Sequence, residues 1–232
     1  MRRIEKAAEP PCLAQLRRDA AFTEKGSGTP PVNDDWNPGS CADAIRNALV
    51  AEQYGLCAYC MGRIQARGLR EELAKLGGMK IEHWAAREDH PQAMYDWGNL
   101  LGVCGGVYNG PQGPVKHCDA SRGSTPLYVH PARRPPDSEA VFTYDQGGSI
   151  TGNTPEAVAD VRTLNLSADR LTENRRAVVD ALRRRLMTRD DAATLRGLYR
   201  AATTPTAEGL PAYAAVAARY LAKKLHQRGL LP

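Results

Sequence analysis

Apolar positions recur at helical spacing through much of the chain. Ala44, Ile45, Ala48 and Leu49 share one face of a helix predicted over 40–54, with Ser40 as its cap and Gly55 as its end. A second helix is expected at 62–78, where Leu69, Leu73 and Leu76 recur among charges before Gly77 and Gly78. The run 79–83 is short and strand-like, and 97–103 is its expected antiparallel partner. Residues 105–116 are rich in Gly and Pro and read as a loop. Val141 to Tyr144 and Ser149 to Thr151 flank Asp145-Gln146-Gly147-Gly148, a hairpin signal. Thr154 followed by Pro155 opens a short helix by cap and first-turn proline. Ser167 is expected to cap a helix to about 187, carrying Leu171, Val178, Leu182 and Leu186 at helical spacing. Asp190 or Asp191 starts another, and Pro211 starts a last one that ends at Gly229. Residues 1–38 are punctuated by prolines and glycines, and read either as an arm or as an arm with a short helix around 11–20.

These elements divide the chain into an irregular arm (1–39), a cysteine-bearing domain (40–125), an extended linker with a hairpin (126–153) and a helical C-terminal region (154–232). The fold class expected is α+β. The net charge of +5 fits a phosphate-rich partner without requiring one. Aromatic residues are 6% of the chain, too few to make stacking on many bases the obvious binding mode. The charged start from Met1 to Lys6 is followed by no apolar stretch, so a secretory signal is not expected. No run approaches the ~20 apolar residues of a membrane span, so the expected setting is cytoplasmic, with no membrane partner.

In such a compartment six cysteines argue for metal rather than disulfides. Cys57 and Cys60, two residues apart, can turn onto one ion, and Cys104 and Cys118 can close the site from a second segment. His117 could replace Cys118 as fourth ligand. Cys12 and Cys41 are spares in this reading. A closed four-ligand zinc has no open position and is structural.

The remaining polar residues suggest phosphodiester hydrolysis, which needs an activated water and a metal near the leaving oxygen. His83 suits the first task because its unperturbed pKa is near neutral. Glu82 and Asp119 are the available carboxylates for a hard divalent cation, Mg²⁺ or Mn²⁺. Neighbours on a strand face opposite sides, so Glu82 and His83 converge on one phosphate only where the strand bends or ends. Trp84 and Trp97 read as core packing, and His90 and His130 as surface loop residues. The arginines between 170 and 189 read either as a solvated helix face or as a contact for nucleic acid or a partner.

The order Cys57-Ala-Tyr-Cys60, Ile81-Glu82-His83-Trp84, Trp97-Gly98-Asn99-Leu100-Leu101, Cys104, His117-Cys118-Asp119 and Arg122-Gly123 resembles the HNH endonucleases. That resemblance implies a zinc-stapled ββα-metal core with flanking helices. It implies His83 as general base, Glu82 as a metal ligand, Asn99 as the residue steadying the loop of the base, and Arg122 as a stabiliser of phosphate charge. Asp119 falls where many members carry a histidine ligand, a departure from the pattern. Met1 to Lys6, Leu56 to Cys60, Pro91 before Asp96 to Leu100, and Thr163 to Leu166 are similar to the nuclease subunit of Septu-type and retron-associated anti-phage systems. This implies a bacterial defence nuclease acting on nucleic acid, DNA ahead of RNA, with a separate ATPase partner. The chain itself carries no Walker-type loop. Lys116, His117, Arg183 and Arg184 are the candidate nucleic-acid contacts. The alternative class is a zinc-stapled module that binds nucleic acid without cutting it.

Overall fold

The computed structural model describes residues 1–27, 36–66, 79–133 and 135–230, so most of the helix expected at 62–78 lies outside the described residues. Helices and three two-stranded antiparallel hairpins share the fold, a mixed α and β architecture with no large sheet among the described residues. The helix α1 (Pro11–Ser27) leads to a single turn at Gly39–Cys41 and then α2 (Ala42–Glu52). Ser40 lies inside that turn, and Cys41 stands at the N-cap of α2 without a side-chain cap bond, so the expected Ser40 cap is corrected.

The first twenty-seven residues depart from the expected irregular arm. Met1, Ile4 and Leu13 are buried in the core. Lys6 pairs with the buried carboxylate of Glu52 at the end of α2 and donates to Leu100 O at 2.9 Å, while Ala7 N donates to Glu52 Oε2 at 3.0 Å. Cys12 and Cys41 are also not spares: they form a disulfide, Cα atoms 5.7 Å apart, that ties α1 to the entrance of α2. Spacing alone could not pair two cysteines 29 residues apart that lie on separate elements.

The central hairpin joins β1 (Lys80–His83) to β2 (Leu100–Val103), with Glu82 opposite Leu101 and His83 opposite Leu100. A loop of sixteen residues, 84–99, connects them. Gln53, just past α2, acts as a piece of third strand. Its amide donates to Gly102 O (2.7 Å) and Leu56 O (2.8 Å), and its carbonyl accepts from Gly102 N (2.7 Å). Gly102 packs closely there, since a Cβ would lie 3.1 Å from the tips of the Ile64 and Met79 side chains and 3.3 Å from the Gln53 amide.

The segment expected to be a loop at 105–116 is a second hairpin, β3 (Val107–Gly110) with β4 (Gly113–Lys116), turning at Pro111 and Gln112. Its prolines fall at the turn and on a two-stranded ribbon where no third strand needs an N–H, so they do not prevent pairing. Gly106, at φ +72, lets His117 N reach Gly106 O at 2.7 Å. A Cβ at Gly106 would lie 2.3 Å from His117 O. A four-residue helix, α3 (Asp119–Arg122), follows directly.

After the short α4 (Ser138–Val141), β5 (Phe142–Tyr144) and β6 (Ile150–Gly152) form the third hairpin about the expected turn. The helix α5 (Pro155–Thr163) begins as expected, with Thr154 accepting from Ala157 N and Pro155 in the first turn. Then come α6 (Asp169–Thr188), α7 (Ala192–Thr203), capped by Asp191, and α8 (Ala214–Gln227). Ala168, not Ser167, precedes α6, without a side-chain cap. Arg63 clamps the C-terminal segment to the cysteine region, donating to Leu210 O and Glu208 O at 2.7 Å each. Arg175 is not part of a solvated face. It is 1% exposed and donates to Gly148 O and Leu166 O, fixing the third hairpin to α6. No helix among the described residues is long and apolar enough to cross a membrane.

The stretch expected as a linker also packs inward: Leu127 and Val129 are buried, and the buried carboxylate of Asp160 on α5 accepts from Tyr128 N and Val129 N. Asp160→Ala would strand two amide donors and is expected to cost about 2–4 kcal/mol. Urea unfolding measures this, and an unchanged midpoint would show that the strap is held by its apolar residues alone.

Candidate metal centre and candidate active site

Three segments deliver four sulfurs to one place. The knuckle 57–60 turns back through Cys57 N to Gly62 O and is hydrogen-bonded to β2 through Ala58 N to Gly102 O (3.0 Å). Cys104 directly follows β2, and Cys118 precedes α3. All four sulfurs lie within 4.8 Å of one another, with Cys57–Cys118 at 3.9 Å and Cys60–Cys104 at 3.7 Å. Zinc–sulfur bonds of about 2.3 Å put the corners of a tetrahedron about 3.8 Å apart. The donor set fits, and the four cysteines could hold a zinc ion. Burial pushes the Cys118 thiol well above its ordinary range, with Cys104, Cys57 and Cys60 adding to the shift. Buried thiols this crowded ionise together only around a cation.

The chain reverses at Cys118, whose φ of 54° lies in the left-handed region. Its sulfur points into the cluster while Asp119 begins α3 on the other side. Asp119 pairs there with Lys80 of β1 at 3.2 Å and lies beside Glu82. Glu82 is buried. Its Oε1 accepts from the Tyr59 hydroxyl at 2.9 Å and from Arg122. Burial first, then the negative charge of Asp119, pushes the Glu82 carboxyl up to about 8, against the pull of Arg122.

His83 occupies the other face of β1. Its Nε2 lies 3.0 Å from Met94 O, which can only accept, so Nε2 carries the proton and Nδ1 keeps the lone pair. Trp36 meets the ring edge-on at 4.6 Å. Burial, followed by the charge of Arg87, lowers its pKa to about 4, and the imidazole is neutral at pH 7. Asp119 acts on His83 as well, so one carboxylate lies within electrostatic range of both Glu82 and His83. Asn99, fully buried, pins the connecting loop at both ends. It accepts from Ala85 N (2.7 Å) and donates to Ala85 O and Ala93 O (3.1 Å each).

Arg122 is committed to acceptors within the protein. Its side chain is 1% exposed and donates to Glu82, His83 O, Trp84 O (2.6 Å) and Thr125 O (2.8 Å). It locks α3 to the end of β1. His130 is likewise not at the surface: buried, it donates from Nε2 to Gly98 O and accepts at Nδ1 from Ala132 N. Trp97 packs as expected, donating to Ala7 O at 2.9 Å. Lys116 is exposed beside the buried His117. Arg183 and Arg184 lie on α6, with Arg183 bonded to Asp180 and Gln146, apart from the Glu82–Asp119 cluster. The sequence reading missed Tyr59, Lys80 and Arg87. Only Tyr59, between two ligand cysteines, carried a signal, because a large polar-tipped ring in so tight a turn must direct its hydroxyl somewhere.

Comparison with models of known families gives no match, and comparison with curated proteins gives none.

The purified protein is expected to hold about one zinc per chain, and Cys57→Ser to lose it together with thermal stability. Elemental analysis and melting check this. Asn99→Ala is expected to cost about 2–4 kcal/mol through three orphaned backbone groups and to open 84–98 to protease. A resistant loop would reject the pinning role.

Proposed function

We propose that the protein is a metal-dependent endonuclease of the HNH type, its ββα unit formed by β1, β2 and α3. The observation that carries this reading is the buried Glu82 set beside Asp119 of a helix next to the cysteine cluster, with a neutral His83 following it at the end of the same strand. Neutral His83 takes a proton at Nδ1 from the water that attacks phosphorus, and the bond to the 3′ oxygen breaks. Glu82 and Asp119 would hold Mg²⁺ or Mn²⁺, which supplies charge stabilisation at the leaving oxygen. Asn99 orients the loop behind His83, and Arg122 positions Glu82 rather than contacting substrate. The net charge of +5 and the exposed Lys116 support a nucleic-acid substrate, and the sequence resemblance puts DNA ahead of RNA. The sequence resemblance supports a role as effector of a bacterial anti-phage system, working in the cytoplasm with a separate ATPase.

A second reading has its own observation. Lys80 holds Asp119 and Arg122 holds Glu82, so both carboxylates already have cationic partners. A binding module without catalytic metal would keep these pairs.

Incubating plasmid, single-stranded DNA and RNA with Mg²⁺ or Mn²⁺ separates the readings. The nuclease is expected to cut, alone or with its ATPase, and His83→Ala to lower cutting by about 100-fold or more with zinc content and folding unchanged. Metal-independent binding without cleavage in every combination would establish the module instead.

A further inference from the structure

The C-terminal helices carry a cationic cleft. Between the third hairpin, α6 and α8 lies a space of about 730 Å³, lined among others by Asp145, Gln146, Arg219, Tyr220, Lys223 and His226. A second space of about 480 Å³ adjoins it, since Gln146, Tyr220 and Lys223 line both, and it adds Arg183, Asp190 and Lys224. Arg219, Lys223 and His226 recur on one face of α8, and all three are exposed. Arg219 and Lys223 stand one turn apart, about 6 Å along the helix axis.

Elsewhere cations are matched with acids, as Lys6 is with Glu52, Lys80 with Asp119 and Arg122 with Glu82. In the cleft they are not. Among the described residues no carboxylate pairs with Arg219, Lys223 or Lys224. Arg219 donates only to Phe142 O, at 3.4 Å, and the Lys224 ammonium lies 5.6 Å from the centre of the Tyr220 ring. The two acids that line the cleft are engaged otherwise. Asp145 accepts from Ser149 N at 2.8 Å across the hairpin turn, and Asp190 pairs with Arg228. Cations gathered without counter-charge in a concave site attract an anion.

We infer that this cleft binds the backbone of single-stranded nucleic acid, with Arg219 and Lys223 on successive phosphates and Tyr220, where the two spaces meet, stacking a base. A cationic groove that tracks the backbone and carries an aromatic side chain is the arrangement that suits a single strand. A duplex is too wide to enter a space of this size. The inference goes beyond the nuclease reading and does not depend on it. No residue of β1, β2 or α3 lines the cleft, and a chain that binds without cutting would use it equally.

The full chain carrying His83→Ala is the background for the test, so that cleavage does not consume the probe. Its binding to a fluorescent oligothymidylate is followed by anisotropy across a series of salt concentrations. Adding Arg219→Ala and Lys223→Ala together is expected to weaken binding at least about tenfold. It should also flatten the slope of log K against log salt by about 1.4, the loss of two phosphate contacts on a single strand. Tyr220→Leu keeps an apolar side chain among its neighbours and is expected to weaken binding by about fivefold or more. In the background protein, an oligonucleotide substituted with 5-iodouracil should crosslink to Tyr220 under ultraviolet light, mapped by mass spectrometry. Circular dichroism is read on every variant. No binding by the background protein, an unchanged affinity and salt slope in the variant lacking both cations, or crosslinks confined to other parts of the chain would each overturn the proposal. So would a polyglutamate peptide that binds more tightly than the oligonucleotide through the same two cations, which would make the cleft a docking site for an acidic protein segment.

Discussion

The arrangement turns on one adjacency, Cys118 beside Asp119. One residue must reach a cluster built from the knuckle and the end of β2. The next must face Glu82 on β1. A chain in the extended or helical region would send both side chains along the regular course of its element. The positive φ at Cys118, with φ 54° and ψ −138°, breaks that course, at a cost of about 1–3 kcal/mol for a residue with a Cβ. Something must hold it there. A metal drawn to four sulfurs is the agent with enough energy, since structural zinc contributes folding free energy directly. The cluster would thus set the position of a carboxylate outside it, and through α3 the position of Arg122 as well.

A second constraint works from the opposite side. Glu82 is a buried carboxylate with one oxygen shared between Tyr59 and Arg122. A buried acid left alone would take up a proton or force the strand outward. Tyr59 comes from the knuckle and Arg122 from α3, so satisfying Glu82 draws together the same two segments that the cysteines join. Two independent demands, one from sulfur and one from a carboxylate, select one geometry. That agreement lets a four-residue helix, far too short to be stable alone, keep a fixed orientation.

The sequence carried the cysteine cluster and the local turns further than the long-range packing. The hairpin of β1 and β2, the turn at 145–148 and the Thr154–Pro155 helix start were legible because hydrophobic alternation and caps are local signals. The cysteines were legible because a metal restricts ligand type and spacing. The β3–β4 hairpin was hidden, since its Gly and Pro content is also what a loop has, and only the tertiary approach of His117 to Gly106 selects pairing. The N-terminal segment was hidden for a related reason. Its burial rests on Lys6 meeting Glu52 and on Trp97 meeting Ala7 O, contacts across 46 and 90 positions that no local pattern encodes. The arginines misled in the same manner. In sequence Arg175 groups with a solvated or partner-facing cluster and Arg122 with phosphate, yet both are buried and bonded to protein acceptors, because a guanidinium can satisfy several acceptors at once where loops converge.

The alternation of a strand bears most directly on the proposed chemistry. Glu82 and His83 face opposite sides of β1, as regular geometry requires. Asp119 lies beside Glu82 and pairs with Lys80 at the start of β1, and its charge also acts on His83. His83 is the last residue of β1, and past it the chain turns into a loop pinned by Asn99. The end of the strand is therefore where adjacent residues can serve one centre. The position of the acid–histidine pair along the strand is thus constrained by the hairpin itself, independently of what the pair is used for.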